Sequence, residues 1–141
     1  MGPQLRICAL FLIMLAFALA TDVATASGDQ TEKICAEAEA RYQELYGDME
    51  VPAGTVVIKM YKYTFCPPDV AVKPGTTLRW INVDKRTSHS VWFKEQGKEE
   101  SDRLFPDEFV EMTLDEAGSF NYICGPHGEQ EGMRGLVTVL P

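Results

Sequence analysis

Histidine and cysteine are scarce in this chain of 141 residues: two His (His89 and His127) and four Cys (Cys8, Cys35, Cys66 and Cys124). Two imidazoles are too few for an enzyme that clusters several imidazole-bound metals. Positive charge is also in short supply, with 13 Lys and Arg against 21 Asp and Glu and a formal net charge of -8. Nucleic-acid binding calls for a net positive face, so that class is excluded, and a charged partner is expected to be a basic protein. Internal repeats and low-complexity linkers are absent. Long apolar runs are absent too, apart from Ile7 to Ala20 (ICALFLIMLAFALA). At 14 residues that run falls short of the ~20 a membrane-spanning helix needs.

With Arg6 before it and two small-residue patterns behind it, Ala18-Leu19-Ala20 and Ala24-Thr25-Ala26, the run reads as a secretory signal peptide. Cleavage is expected after Ala20 or Ala26. No lipid-attachment cysteine follows the run. Removing residues 1–26 takes away Arg6 and Asp22 and leaves 115 residues at an unchanged charge of -8. The expected product is an exported, soluble monomer in an oxidising compartment, the periplasm, with length enough for one modest core.

The remaining chain divides at about residue 50. Residues 29–46 predict an amphipathic helix: Asp29 with Glu32 resembles a capping box, and Ile34, Ala38, Tyr42 and Leu45 recur at helical spacing. Glu37 with Arg41 forms an i,i+4 pair, and Gly47 supplies a stop. Residues 27–50 are thus a helical extension, and residues 51–141 read as strands. VVIKMYKYTF (56–65) places Val56, Ile58 and Met60 on one face and ends at Pro67-Pro68. Further strands are expected at 70–72, 76–82, 90–93, 108–114, 119–123 and 136–140. Some seven to eight short strands with turn signals between them predict an all-β antiparallel sandwich or barrel. KEQGKEESDR (94–103) is charged, lacks periodicity and reads as a solvated loop.

Metal-capable residues concentrate in two places. One is His89, within Thr87 to Val91. The other is YICGPHGEQEGMRG (122–135), which carries Cys124, His127 and Met133. Cys124 ends a strand and Gly125-Pro126 makes a tight turn, so His127 can fold back towards the thiolate. Two imidazoles, a thiolate and a thioether mix soft sulfur with borderline nitrogen, a set that suits copper. A trigonal His₂Cys plane with a weak axial Met is the blue-copper electron-transfer arrangement. No ligand position is left for a substrate, which favours electron transfer over catalysis. Two alternatives stand beside this reading. Structural zinc could use His89, Cys124 and His127, although a Met partner and the strand context speak against it. Met133 could be a core residue.

The runs YTFCPPDVAVKPGTTLRWINVDKRTSHSV (63–91) and GSFNYICGPHGEQEGMRGLVTV (118–139) resemble the cupredoxin family of plastocyanin, pseudoazurin and amicyanin. The resemblance implies a Greek-key β-sandwich holding one type 1 copper ion, with His89, Cys124, His127 and Met133 as ligands. It further implies that His127 sits at the solvent edge, where electrons enter and leave, and that Ser90, directly after the upstream His, ties the two ligand loops together. The loop reads C-x2-H-x5-M, one residue longer than the plastocyanin pattern C-x2-H-x4-M. A dinuclear copper centre would need a second Cys in this loop. Multicopper oxidases and copper nitrite reductases need more histidines than the chain has.

Cys35 and Cys66 remain once Cys8 is cleaved and Cys124 is given to copper. A disulfide fastening the helix to the sheet is expected; a thiol-rich second Cu(I) site with Met60 or Met112, or two free thiols, are the alternatives. The expected function is single-electron carriage between larger redox proteins. The alternative is periplasmic copper homeostasis, binding or oxidising Cu(I).

Overall fold

A computed structural model describes residues 22–141 as one helix and seven strands. The expected leader core, Ile7 to Ala20, lies outside the described residues. The elements are α1 (Asp22–Tyr46), β1 (Thr55–Tyr61), β2 (Thr64–Cys66), β3 (Asp69–Val72), β4 (Thr77–Asn82), β5 (Phe109–Thr113), β6 (Gly118–Ile123) and β7 (Arg134–Val139). They form two sheets, ordered β2-β1-β4-β5 and β3-β7-β6. β1 pairs parallel with β4 and β3 parallel with β7, whereas β1–β2, β4–β5 and β6–β7 are antiparallel. Crossing connections of this kind make the Greek-key β-sandwich that the family resemblance implies, and the two parallel pairs correct the antiparallel arrangement expected from the strand pattern.

Period-two alternation sets the core. Ile58 and Met60 of β1, Leu78 and Trp80 of β4, and Tyr122, Val137 and Val139 of β6 and β7 fill the space between the sheets. Tyr122 opposes Gly135 across the β6–β7 ladder, and a Cβ at Gly135 would collide with its ring. β4 is also buried on its other face. There Ile81, with Val83 just beyond the strand, meets Ala38 and Tyr42 of α1, with Ile34, Cys35 and Leu45 around them. The helix therefore covers the outer face of the four-stranded sheet. Lys59–Glu39 and Lys62–Glu37 ion pairs and the Cys35–Cys66 disulfide fasten it there. The disulfide expectation holds, and it removes the two thiols that a second Cu(I) site would need.

Four local expectations need correction. α1 starts at Asp22, so Asp29 and Glu32 sit inside the helix rather than capping it. Ala24 and Ala26 are strong helix formers, and Gly28 costs only about 1 kcal/mol, too little to stop the helix. Glu37 reaches Lys62 on the sheet, and Arg41 pairs with Glu44 instead. The run 56–65 is a tight hairpin, not one strand: Lys62 (φ 46°) and Tyr63 (φ 59°) turn the chain without the usual Asn-Gly signal. Residues 90–93 form no continuous ladder: Trp92 alone bridges to Ile123, and His89, just before them, bridges to Leu104. Among the described residues no helix is long and apolar enough to cross a membrane.

Candidate metal centre

The candidate residues arrive on two segments. Cys124 follows β6, and the loop to β7 returns through hydrogen bonds in which Cys124 N donates to the Met133 carbonyl and Met133 N to the His127 carbonyl. A second turn forms inside it, with His127 N and Gly128 N both donating to the Cys124 carbonyl. These bonds bring His127 back beside Cys124, as the Gly-Pro turn suggests, and place His127 Nδ1 3.4 Å from the sulfur. His89 comes from the segment after β4, with its Nδ1 3.8 Å from the same sulfur. The three donor atoms lie within 4.8 Å of one another, and among the described residues this is the one such grouping of His, Cys and carboxylates. An ion with bonds of roughly 2.0–2.3 Å in a trigonal plane holds its donors about 3.5–3.8 Å apart. The observed sulfur–nitrogen separations match that triangle.

His89 and Cys124 are fully buried and His127 half-buried. Met133 is also buried, in the same apolar cluster as Cys124, at the point where the loop closes. Tyr63, on the β1–β2 turn, sets its ring edge-on to His127 at 4.8 Å and to His89 at 6.3 Å between centroids. The site thus has a dry inner side and one imidazole near the surface.

Polar contacts orient the donors. Asp84 Oδ2 accepts the Nε2 proton of His89 at 3.1 Å, which turns the bare Nδ1 towards Cys124. The same carboxylate accepts N–H groups from Lys62 and Lys85. Burial disfavours its charge, but His89 and the Lys62 N–H outweigh burial and hold the Asp84 carboxyl below its ordinary range. Burial likewise disfavours a charged His89; Asp84 and then Cys124 prevail, and its pKa is raised. At Cys124 burial would raise the thiol, yet His89 and the Ser90 N–H bring its pKa down, towards the thiolate that a metal needs. Burial comes first at His127 as well, followed by His89 and Arg103, and its pKa is lowered, so its nitrogen is free to bind.

Ser90 bonds twice to the Cys124 loop. Its backbone N–H points at the Cys124 sulfur at 3.4 Å, and its Oγ accepts from Gly125 N at 2.9 Å. Other polar groups around the donors were not foreseen. Asn82, fully buried at the end of β4, donates through Nδ2 to the Thr87 and Leu104 carbonyls at 2.8 and 2.9 Å. Its Oδ1 accepts from Asp84 N, so one amide fixes the whole loop that presents His89. The segment read as a solvated loop begins with a single helical turn at Lys94–Gln96 and then runs along the ligand segment. Leu104 N donates to the His89 carbonyl, Ser101 N to the Val91 carbonyl, and Val91 N to Ser101 Oγ. A polar residue closing a strand just before a ligand loop was a usable signal for Asn82. Nothing local marked the 100–104 segment.

Known copper proteins are similar to this chain in sequence and fold. Residues 52–140 match the family of copper binding proteins described as plastocyanin/azurin. Amicyanin of Paracoccus versutus is 34% identical over 94 residues, which is 64% of this chain and 68% of that protein. Plastocyanin of Scenedesmus fuscus is 32% identical over 85 residues, 53% of this chain and 85% of that protein. The crystal structure of P. versutus amicyanin superposes with a TM-score of 0.55, covering 64% of this chain and 85% of that one. With the sandwich, the donor triangle and these relatives together, the chain belongs to the copper-binding proteins of the plastocyanin/azurin family, the cupredoxins.

Proposed function

We propose that the protein carries single electrons between larger redox proteins, in the periplasm, after loss of residues 1–20 or 1–26. The mature chain would then be the helical extension (27–50) followed by the copper domain (51–141). Cleavage after Ala26 would trim the first residues of α1 and leave its contact with the sheet, which begins at Ile34, intact. Copper, when bound, supplies a one-electron couple between Cu(II) and Cu(I). Cys124, His89, His127 and Met133 would hold it through a thiolate, two imidazoles and a thioether.

The single observation that carries this reading is the buried donor triangle with one edge near the surface. Cys124 and His89 are dry and tightly bonded to their surroundings, so their positions have little freedom when the charge at the site changes. His127 is half-buried beneath Tyr63, and a partner docking on that face would come closest to the site there. The net charge of -8 favours a basic partner, through faster encounter at low salt. Positive charge also lies near that face, where Glu129 pairs with Lys94 and Arg103 acts on His127.

Cys35 and Cys66, two features that favour copper homeostasis along with the helix, form a disulfide and offer no thiols to Cu(I). Voltammetry of the copper-loaded mature protein tests electron carriage. A reversible one-electron wave, kept but shifted to higher potential by Met133→Leu, is expected. Absence of a reversible wave would contradict it.

A further inference from the structure

The segment from Glu100 to Leu104 lies against the upstream ligand segment, and Glu100, itself exposed, sets its carboxylate against Ser90. Glu100 Oε1 accepts the Ser90 hydroxyl proton at 2.6 Å. The same hydroxyl oxygen accepts the Gly125 N–H at 2.9 Å, and the Ser90 N–H faces the Cys124 sulfur. A Cβ at Gly125 would collide with the Glu100 carboxylate, so the residue after Cys124 must be small for the carboxylate to reach in. The chain of bonds runs from Glu100 through Ser90 to both sides of Cys124.

We propose that Glu100 is a positioning residue of the copper centre, which aligns the Ser90 hydroxyl to lock the Cys124 loop and sets the balance between Cu(II) and Cu(I) through its charge. A serine hydroxyl has one proton and can rotate. With a carboxylate accepting that proton, the oxygen lone pairs are left to face the Gly125 N–H, and the two ligand loops are joined in one arrangement. A charged acceptor makes this bond stronger than a neutral one. The charge also acts directly, because reduction lowers the charge of the site by one and a carboxylate one residue from the thiolate favours Cu(II).

This rests on the copper reading above, and the experiment separates the two. The protein is the mature full-length chain, with and without copper. In Glu100→Gln the acceptor stays and the charge goes. At roughly 8–10 Å and an effective dielectric of about 30, a five- to tenfold shift towards Cu(I) at fixed ambient potential is expected. Tenfold corresponds to about 59 mV for one electron. Glu99→Gln, a change in the neighbouring carboxylate rather than in the one bonded to Ser90, should shift the ratio less. In Glu100→Ala, exchange of the Gly125 amide in metal-free protein should speed up by about tenfold or more. Ser90→Ala should do the same, and adding Glu100→Ala to it should change that exchange little further. An unmoved Cu(I) to Cu(II) ratio in Glu100→Gln would overturn the electrostatic role. An unmoved Gly125 exchange in Glu100→Ala would overturn the positioning role. If the wild-type chain failed to bind copper, the copper reading would fall, while the exchange measurement, made without metal, would still decide the positioning claim.

Discussion

The two segments that supply the site solve the same problem by opposite means. From Cys124 to Met133 the donors lie on one short loop, and backbone bonds within that loop bring His127 back to the sulfur. Asn82 to Ser90 contributes a single donor, His89, held by groups distant in sequence: Leu104, Lys62 and Cys124. The first segment is a local motif and the second a tertiary construction. Local geometry is therefore tolerant of change elsewhere in the fold, whereas the upstream donor depends on several packed neighbours at once.

Helix α1 gives the sharpest way to break that comparison, because it stabilises the fold from the face away from the ligand loop. Replacing Cys35 and Cys66 by Ser opens a link across 31 residues of sequence and should cost about 3–4 kcal/mol in denaturant unfolding. The copper absorption should persist below the new transition. Loss of colour in the folded variant would show that the helix holds the site directly. Next in size is Asn82→Ala, which takes a donor from the part-buried Thr87 carbonyl and leaves the Leu104 carbonyl with His89 N alone, and should cost about 1–3 kcal/mol. It should also weaken metal binding, because the His89 loop loses its internal tie. Full stability in the variant would mean that water replaces the amide.

Asp84→Asn asks whether the upstream imidazole depends on its carboxylate. Partners of this kind typically contribute ten- to a hundredfold in metal affinity, so a competition titration should register a loss in that range. An unchanged affinity would show that packing alone orients His89. The smallest expected effect concerns the loop tip. Glu131 acts on His127, whereas Glu129 is paired with Lys94. At ~10 Å and an effective dielectric of about 40, one unpaired carboxylate contributes ~0.8 kcal/mol, or roughly 35 mV. Glu131→Gln should raise the potential by about that amount at low salt, and Glu129→Gln by less. Equal shifts would mean that the Lys94 pair does not persist in solution.

The same contrast explains what could be read from the sequence. Cys124, His127 and Met133 stand in one spacing pattern, and the strands alternate plainly, so the sandwich and the local half of the site were legible. His89 stood out as one of only two histidines, whereas Ser90 was found through a family likeness and not through spacing. Asn82, Asp84 and Glu100 were not found, because each acts through contacts that exist only once β4, the 100–104 segment and the Cys124 loop are packed together. The β1–β2 turn escaped notice for a different reason: Lys62 and Tyr63 adopt positive φ with side chains that give no turn signal.

The most direct test of the central claim is the visible absorption spectrum of the mature chain loaded with one equivalent of Cu(II). The donor triangle predicts an intense thiolate-to-copper charge-transfer band that Cys124→Ser abolishes. A colourless wild-type protein, or one that retains zinc in preference to copper, would contradict it.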